Sequence, residues 1–174
     1  MSQTNNIVFT ALKIVFWIIF VGLCIEAGGL IVNFIFSIFK PEMVKNLYQK
    51  LDLSELYKES RRTFFGVYSF ILVIAILKAY LFYIVIKLMH KMDLRKPFNT
   101  YVARQITQLS YYTLSIGVLS YIARQSSHQG FVIDNVNQFW EDSQAFILMG
   151  AVIYVIATIF KKGIELQNEN DLTV

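Results

Sequence analysis

The sequence is poor in the residues from which small-protein chemistry is usually built. One cysteine, Cys24, stands among 174 residues. No disulfide can therefore form within the chain, and paired-thiol redox chemistry is excluded. Val21-Gly22-Leu23 ahead of it puts a bulky leucine where lipoprotein acylation needs a small residue, so Cys24 reads as a small buried hydrophobe. The two histidines, His90 and His128, fall in separate connections. No Cys/His cluster, nucleophile–base pair or phosphate-binding glycine loop is present in the sequence. These absences predict a protein that is not an enzyme and that carries no metal and no cofactor. Only two prolines interrupt the chain, which leaves long stretches free to be helical. Charge is scarce too, at 16% of residues, against about a quarter in soluble domains.

Apolar residues are abundant instead, at 56%, with 15 Phe and 10 Tyr. They form long continuous runs with the charges gathered between them, whereas a globular core would scatter charge at helical or strand spacing. The pattern predicts an all-α integral membrane protein: four transmembrane helices in a bundle, plus an amphipathic surface helix between the first and second spans. The spans are expected at about 7–39, 64–89, 101–122 and 145–160, within a single membrane domain. The first exceeds the roughly 20 residues needed to cross the hydrocarbon, so it tilts or projects, and Pro41 ends it. It continues far past signal-peptide length and lacks a basic start before Lys13, so it is expected to be retained as an anchor. A membrane barrel would need many alternating segments of about ten residues, and the runs here do not alternate.

Met43, Val44, Leu47, Tyr48 and Leu51 recur at helical spacing, opposite Lys45, Lys50 and Lys58. They predict the surface helix over about 42–60, lying on the membrane or capping the bundle. Residues 125–143 read as an irregular loop, with Trp140 as an interfacial anchor. The Lys/Arg bias around Lys87, Lys91, Arg95, Lys96, Arg104, Lys161 and Lys162 places both termini and the central connection in the cytoplasm. The basic residues between the first two spans argue the other way. The modest net charge of +4, carried beside apolar runs, points to anionic lipid headgroups as partners rather than nucleic acid.

Glu26 and Lys78 fall inside spans, where an unpaired charge costs about 2.5 kcal/mol or more. Measured from Lys13 and Lys87 as anchors at one interface, their depths differ by roughly 6 Å, so an intramembrane ion pair between them is feasible. It would hold the first two helices in register. The alternative makes Glu26 a proton or cation site of a small oligomeric transporter. Gly22, Glu26, Gly29 and Asn33 form one stripe on the first span, and Ser110, Thr113, Gly117 and Ser120 form another on the third. Small residues at such spacing let membrane helices approach closely; a polar cavity between the first and third spans is the other reading.

The chain ends Gly163-Ile164-Glu165-Leu166-Gln167-Asn168-Glu169-Asn170-Asp171-Leu172-Thr173-Val174, and Pro97-Phe98 precedes the third span. Both features resemble a bacterial membrane family known as domain of unknown function 2975. Its members have four spans, a Pro-Phe step at this place and a tail of the form Gly-x-Glu-Leu-x-x-Glu-x-Asp-Leu-Thr-Val. The long charged insert after the first span is not typical of the family. Members are often encoded beside a small helix-turn-helix regulator, which implies a regulatory partnership; the resemblance implies no activity. In physical terms Gly163 can end the fourth helix. The acidic tail, with Glu165, Glu169 and Asp171, would then fold back on Arg95, Lys96 and Arg104, with Leu166 and Leu172 near Phe98. A solvated, frayed tail is the other outcome. The expected role is regulatory or accessory, in a bacterial inner membrane, acting through this cytoplasmic docking face on a cytoplasmic protein or such a regulator. A homo-oligomer belongs to the transporter reading.

Overall fold

The computed structural model describes residues 3–40, 42, 44, 47, 53–92, 98–128 and 139–172. Among these no strand occurs, and five helices follow one another: α1 (Gln3–Phe39), α2 (Ser54–Glu59), α3 (Arg61–Lys91), α4 (Thr100–His128) and α5 (Ser143–Leu172). Local chemistry sets several boundaries. α1 stops two residues before Pro41, a residue that disfavours helix in its predecessor. Ser60 caps α3 by accepting from the Thr63 amide at 3.3 Å. Asn99 Oδ1 accepts from the Val102 amide at 2.9 Å at the start of α4, satisfying an otherwise orphaned donor.

Among the described residues, three helices are long and apolar enough to cross a membrane, over Ile7–Phe39, Arg61–Lys91 and Ser143–Glu169. The expected third span, α4, is not among them. At 29 residues, α4 is about 43 Å long, and length is not what it lacks. Gln105, Thr107, Gln108, Ser110, Thr113, Ser115 and Ser120 make it too polar. Many of these polar residues are covered: Gln105, Ser110, Thr113 and Ser120 are all buried.

The long helices pack in chain order. α1 lies antiparallel on α3, with Phe16 against Phe82 and Phe34 against Phe65. Next, α3 packs on α4 and α4 on α5, the last being the most extensive contact. The expected bundle is thus a row in which α1 packs chiefly on α3. Ile14, Trp17, Ile18, Val21 and Ile25 of α1 are left exposed. Such an all-round apolar helix suits lipid contact.

The largest buried cluster sits at one end of the row. Val44, Leu47, Leu53 and Leu56 cover Ala27 and Leu30 of α1, Phe64 and Tyr68 of α3, Ala123 of α4 and Trp140 before α5. The Leu53 amide bonds the Val44 carbonyl at 3.2 Å, so the chain doubles back over the helix ends. Of the expected surface helix at 42–60, the described helical part beyond single-residue 3₁₀ positions is Ser54–Glu59. Residues 43, 45, 46 and 48–52 lie outside the described residues. Between the two placements foreseen for this segment, the buried leucines select the cap. Trp140, only 1% exposed, packs within this cap cluster. At the other end, the Lys91 end, a smaller cluster of Val102, Ile106 and Ala157 joins α4 to α5, with Leu88 of α3 and Met92 just past its end beside it.

Candidate functional site

Glu26 and Lys78 are not joined by an ion pair among the described residues. Helix register explains the correction. The Tyr68 hydroxyl donates to the Leu30 carbonyl at 3.0 Å, and Phe16 meets Phe82. Glu26 therefore stands level with the turn around Leu72, about six residues and roughly 9 Å along α3 from Lys78. Lys78 turns instead towards α5, its Nζ 5.5 Å from the centroid of the Phe146 ring. The ring face offers negative quadrupolar charge to the ammonium. Glu26 is half-buried on α1.

The two small-residue stripes do not face each other. The α4 stripe packs on α5. Ser110 Oγ donates to the Gly150 carbonyl at 3.1 Å. A Cβ at Gly117 would come within 2.7 Å of the Ile147 backbone nitrogen, and one at Gly150 within 2.9 Å of the Leu114 nitrogen. Thr113 returns its hydroxyl to the Leu109 carbonyl of its own helix at 2.7 Å, and Ser120 is buried. On α1 a Cβ at Gly22 would meet nothing within 4 Å, while Gly29 and Asn33 are half-buried. Close approach is thus a property of α4 and α5. Gly150, which completes it, escaped sequence reading because a lone glycine in an apolar run has no distinguishing pattern.

The expected docking face is assembled in part. Arg95, Lys96 and Pro97 lie outside the described residues, as does the Asp171 side chain. Phe98 packs against Phe160, ring centroids 5.2 Å apart, and a Cβ on Gly163 would stand 2.8 Å from the Phe98 ring. Gly163 therefore serves close packing and does not end the helix, which runs on to Leu172. This overturns the folded-back tail: Leu166 is 60% exposed, and Glu165 and Glu169 project from a continuous helix. Lys91 Nζ stands 5.3 Å from the centroid of Tyr101, tying the end of α3 to the start of α4.

Between α4 and α5 at this end lies an open groove of about 560 Å³, with Thr100, Arg104, Thr107, Gln108, Tyr111, Lys161 and Glu165 along its walls. Glu165 Oε2 accepts from Lys162 Nζ at 2.7 Å. That hydrogen bond, with the carboxylate's charge, holds the exposed Lys162 above the ordinary lysine range. Arg104 and Lys161, both exposed, have no carboxylate within ion-pair distance among the described residues. The groove is thus cationic at its mouth. Tyr111, on its wall, also meets Tyr154.

Long apolar helices joined by charged ends define a membrane-associated, all-helical protein. The chain matches the family described as Protein of unknown function (DUF2975) over residues 48–174, and it belongs to that family. The match starts after α1 and includes Pro97-Phe98, the groove and the whole of α5. No curated protein matches the chain, and no solved structure does.

Proposed function

We propose that the chain is a four-crossing protein of a bacterial inner membrane, with both termini cytoplasmic. In this reading it is a non-enzymatic regulatory or accessory component acting through the Lys91 end. α4 is the fourth crossing: it runs antiparallel beside α5, and its buried serines and threonines are sheltered there from lipid. The observation that carries the functional reading is the form of α5. It continues as helix about 15 Å past Lys161-Lys162, with Glu165, Leu166 and Glu169 exposed on it. A rigid polar helix bearing an exposed leucine is a handle for a cytoplasmic protein. The family resemblance makes a helix-turn-helix regulator a reasonable partner class. A photo-crosslinker at Leu166 tests this in native membranes. One defined protein adduct, absent when the crosslinker replaces Trp17, supports the reading; lipid adducts alone at both positions defeat it. Topology is tested with single cysteines at Asn99 and Gln125 in a Cys24→Ser background. An impermeant maleimide should label one of them in intact cells, and labelling of both would remove α4 as a crossing.

One observation favours the alternative of an oligomeric transporter. Lys78 is occupied with Phe146 and does not neutralise Glu26, so the carboxylate is free of the partner that argued against ion binding. That reading needs a second copy along the exposed face of α1. A monomer in mild detergent would exclude it.

A further inference from the structure

We propose that the groove between α4 and α5 at the Lys91 end is a binding site for one anionic phospholipid. The inference rests on the membrane placement of the helices and not on a cytoplasmic partner. Its first support is charge. Arg104 and Lys161 line the same cleft, and neither meets a carboxylate among the described residues. The acid on that wall, Glu165, is held by Lys162 at 2.7 Å and so is not offered to a headgroup ammonium. Its second support is depth. Lys161 closes the apolar run of α5, whereas the pairing of Ser110 with Gly150 and of Phe98 with Phe160 sets Arg104 roughly 8–10 Å nearer the bilayer centre. An arginine there extends its guanidinium towards the phosphate layer, where its planar fork suits a phosphodiester. Its third support is shape. Thr100 adds a hydroxyl donor beside the cations, and Tyr111, 54% exposed and in contact with Tyr154, continues the cleft towards the hydrocarbon. A molecule with an anionic head and an acyl chain fits both ends; a free anion fits one.

The test is native mass spectrometry of the full chain, released from mild detergent with dioleoyl phosphatidylglycerol, phosphatidylethanolamine or phosphatidylcholine. Phosphatidylglycerol should be retained at least about tenfold more than either zwitterionic lipid, since charged hydrogen bonds of this kind differ by that factor or more. Combining Arg104→Gln with Lys161→Gln should abolish the preference, while Lys13→Gln with Lys87→Gln should keep it. Glu165→Gln should strengthen retention, a gain that misfolding cannot produce. Equal retention of the three lipids, or a preference that survives loss of Arg104 and Lys161, overturns the proposal. So does a preference for phosphatidylethanolamine, which would make Glu165 an ammonium acceptor. Displacement of phosphatidylglycerol by millimolar inorganic phosphate would assign the site to a free anion and likewise overturn it. Failure of the Leu166 crosslink leaves each of these outcomes unaffected.

Discussion

The contact between α4 and α5 can be tested at single atoms. Replacing Gly150 by alanine puts a Cβ 2.9 Å from the Leu114 backbone nitrogen and 2.7 Å from its Cγ; at Gly117 the nearest backbone nitrogen, that of Ile147, would lie at 2.7 Å. Ordinary contact begins near 3.4 Å, so the helices must part by about 0.5–0.7 Å. Backbone cannot rotate away as a flexible side chain can. The Ser110–Gly150 hydrogen bond, now 3.1 Å, would stretch beyond effective range. Overpacking costs about 1–3 kcal/mol, and an interhelical hydrogen bond in a membrane protein adds about 0.6 kcal/mol. Less the gain of up to about 1 kcal/mol that alanine brings to a helix, Gly150→Ala and Gly117→Ala should each destabilise by about 1–2.5 kcal/mol. Reversible unfolding of micelle-embedded protein in dodecyl sulfate, followed by circular dichroism, would measure it. Gly22→Ala and Gly66→Ala are the controls, since a Cβ at either meets nothing within 4 Å; they should be neutral or stabilise by up to about 1 kcal/mol. If Gly150→Ala matched wild type, or Gly22→Ala proved equally harmful, the close packing of α4 on α5 would be refuted.

Other tests follow from the same geometry. Tyr68→Phe keeps the rings packed on Phe34 and Phe64 but removes the donor to the Leu30 carbonyl; it should cost about 1 kcal/mol in the same unfolding assay. A double-mutant cycle of Glu26→Gln with Lys78→Met should give coupling below about 0.5 kcal/mol, and a value well above 1 would reinstate the ion pair. Cys24 is exposed on α1 beside the exposed Val21, Ile25 and Ile31, a surface that lipid would cover and close to water-soluble reagents. A water-soluble maleimide should fail to modify it in intact membranes and succeed after denaturation. Because Glu165 raises the Lys162 pKa, any stability from that pair is complete below the ordinary lysine range and is lost only as pH rises through the raised value. Thermal melts across neutral pH should therefore show no pH dependence arising from it.

Much of the fold was legible in uninterrupted apolar runs. Ile7–Phe39 and the stretch ending at Lys91 announce their length and character because few charges interrupt them over many turns, Glu26 and Lys78 standing deepest. α4 was legible as a helix but not as a polar one, since its serines and threonines look like packing residues wherever they lie. Its neighbour, unlike its periodicity, could not be read from sequence, since spacing alone pointed as readily to α1. The Glu26–Lys78 pairing failed because anchoring two helices at lysines fixes depth only to within a turn, while an ion pair needs ångströms. Gly163 misled for a related reason. A glycine before a polar tail signals a helix end unless a bulky ring, here Phe98, requires the space its missing side chain leaves. The groove combined residues from 100 to 165, and nothing in sequence order brings Arg104 beside Lys161.

The cap over the far end has a mechanical consequence. Val44, Leu47, Leu53 and Leu56 bind together the ends of α1 and α3 and the neighbourhoods of Ala123 and Trp140, whereas the Lys91 end is held by a smaller set of contacts. The helix row is clamped on one side, like the hinge of a pair of tongs. A small tilt at the hinge grows with distance along α5, whose 30 residues make an arm of about 45 Å. The tip of that arm, around Leu166 and Glu169, would sweep farthest for any change of helix angle within the membrane.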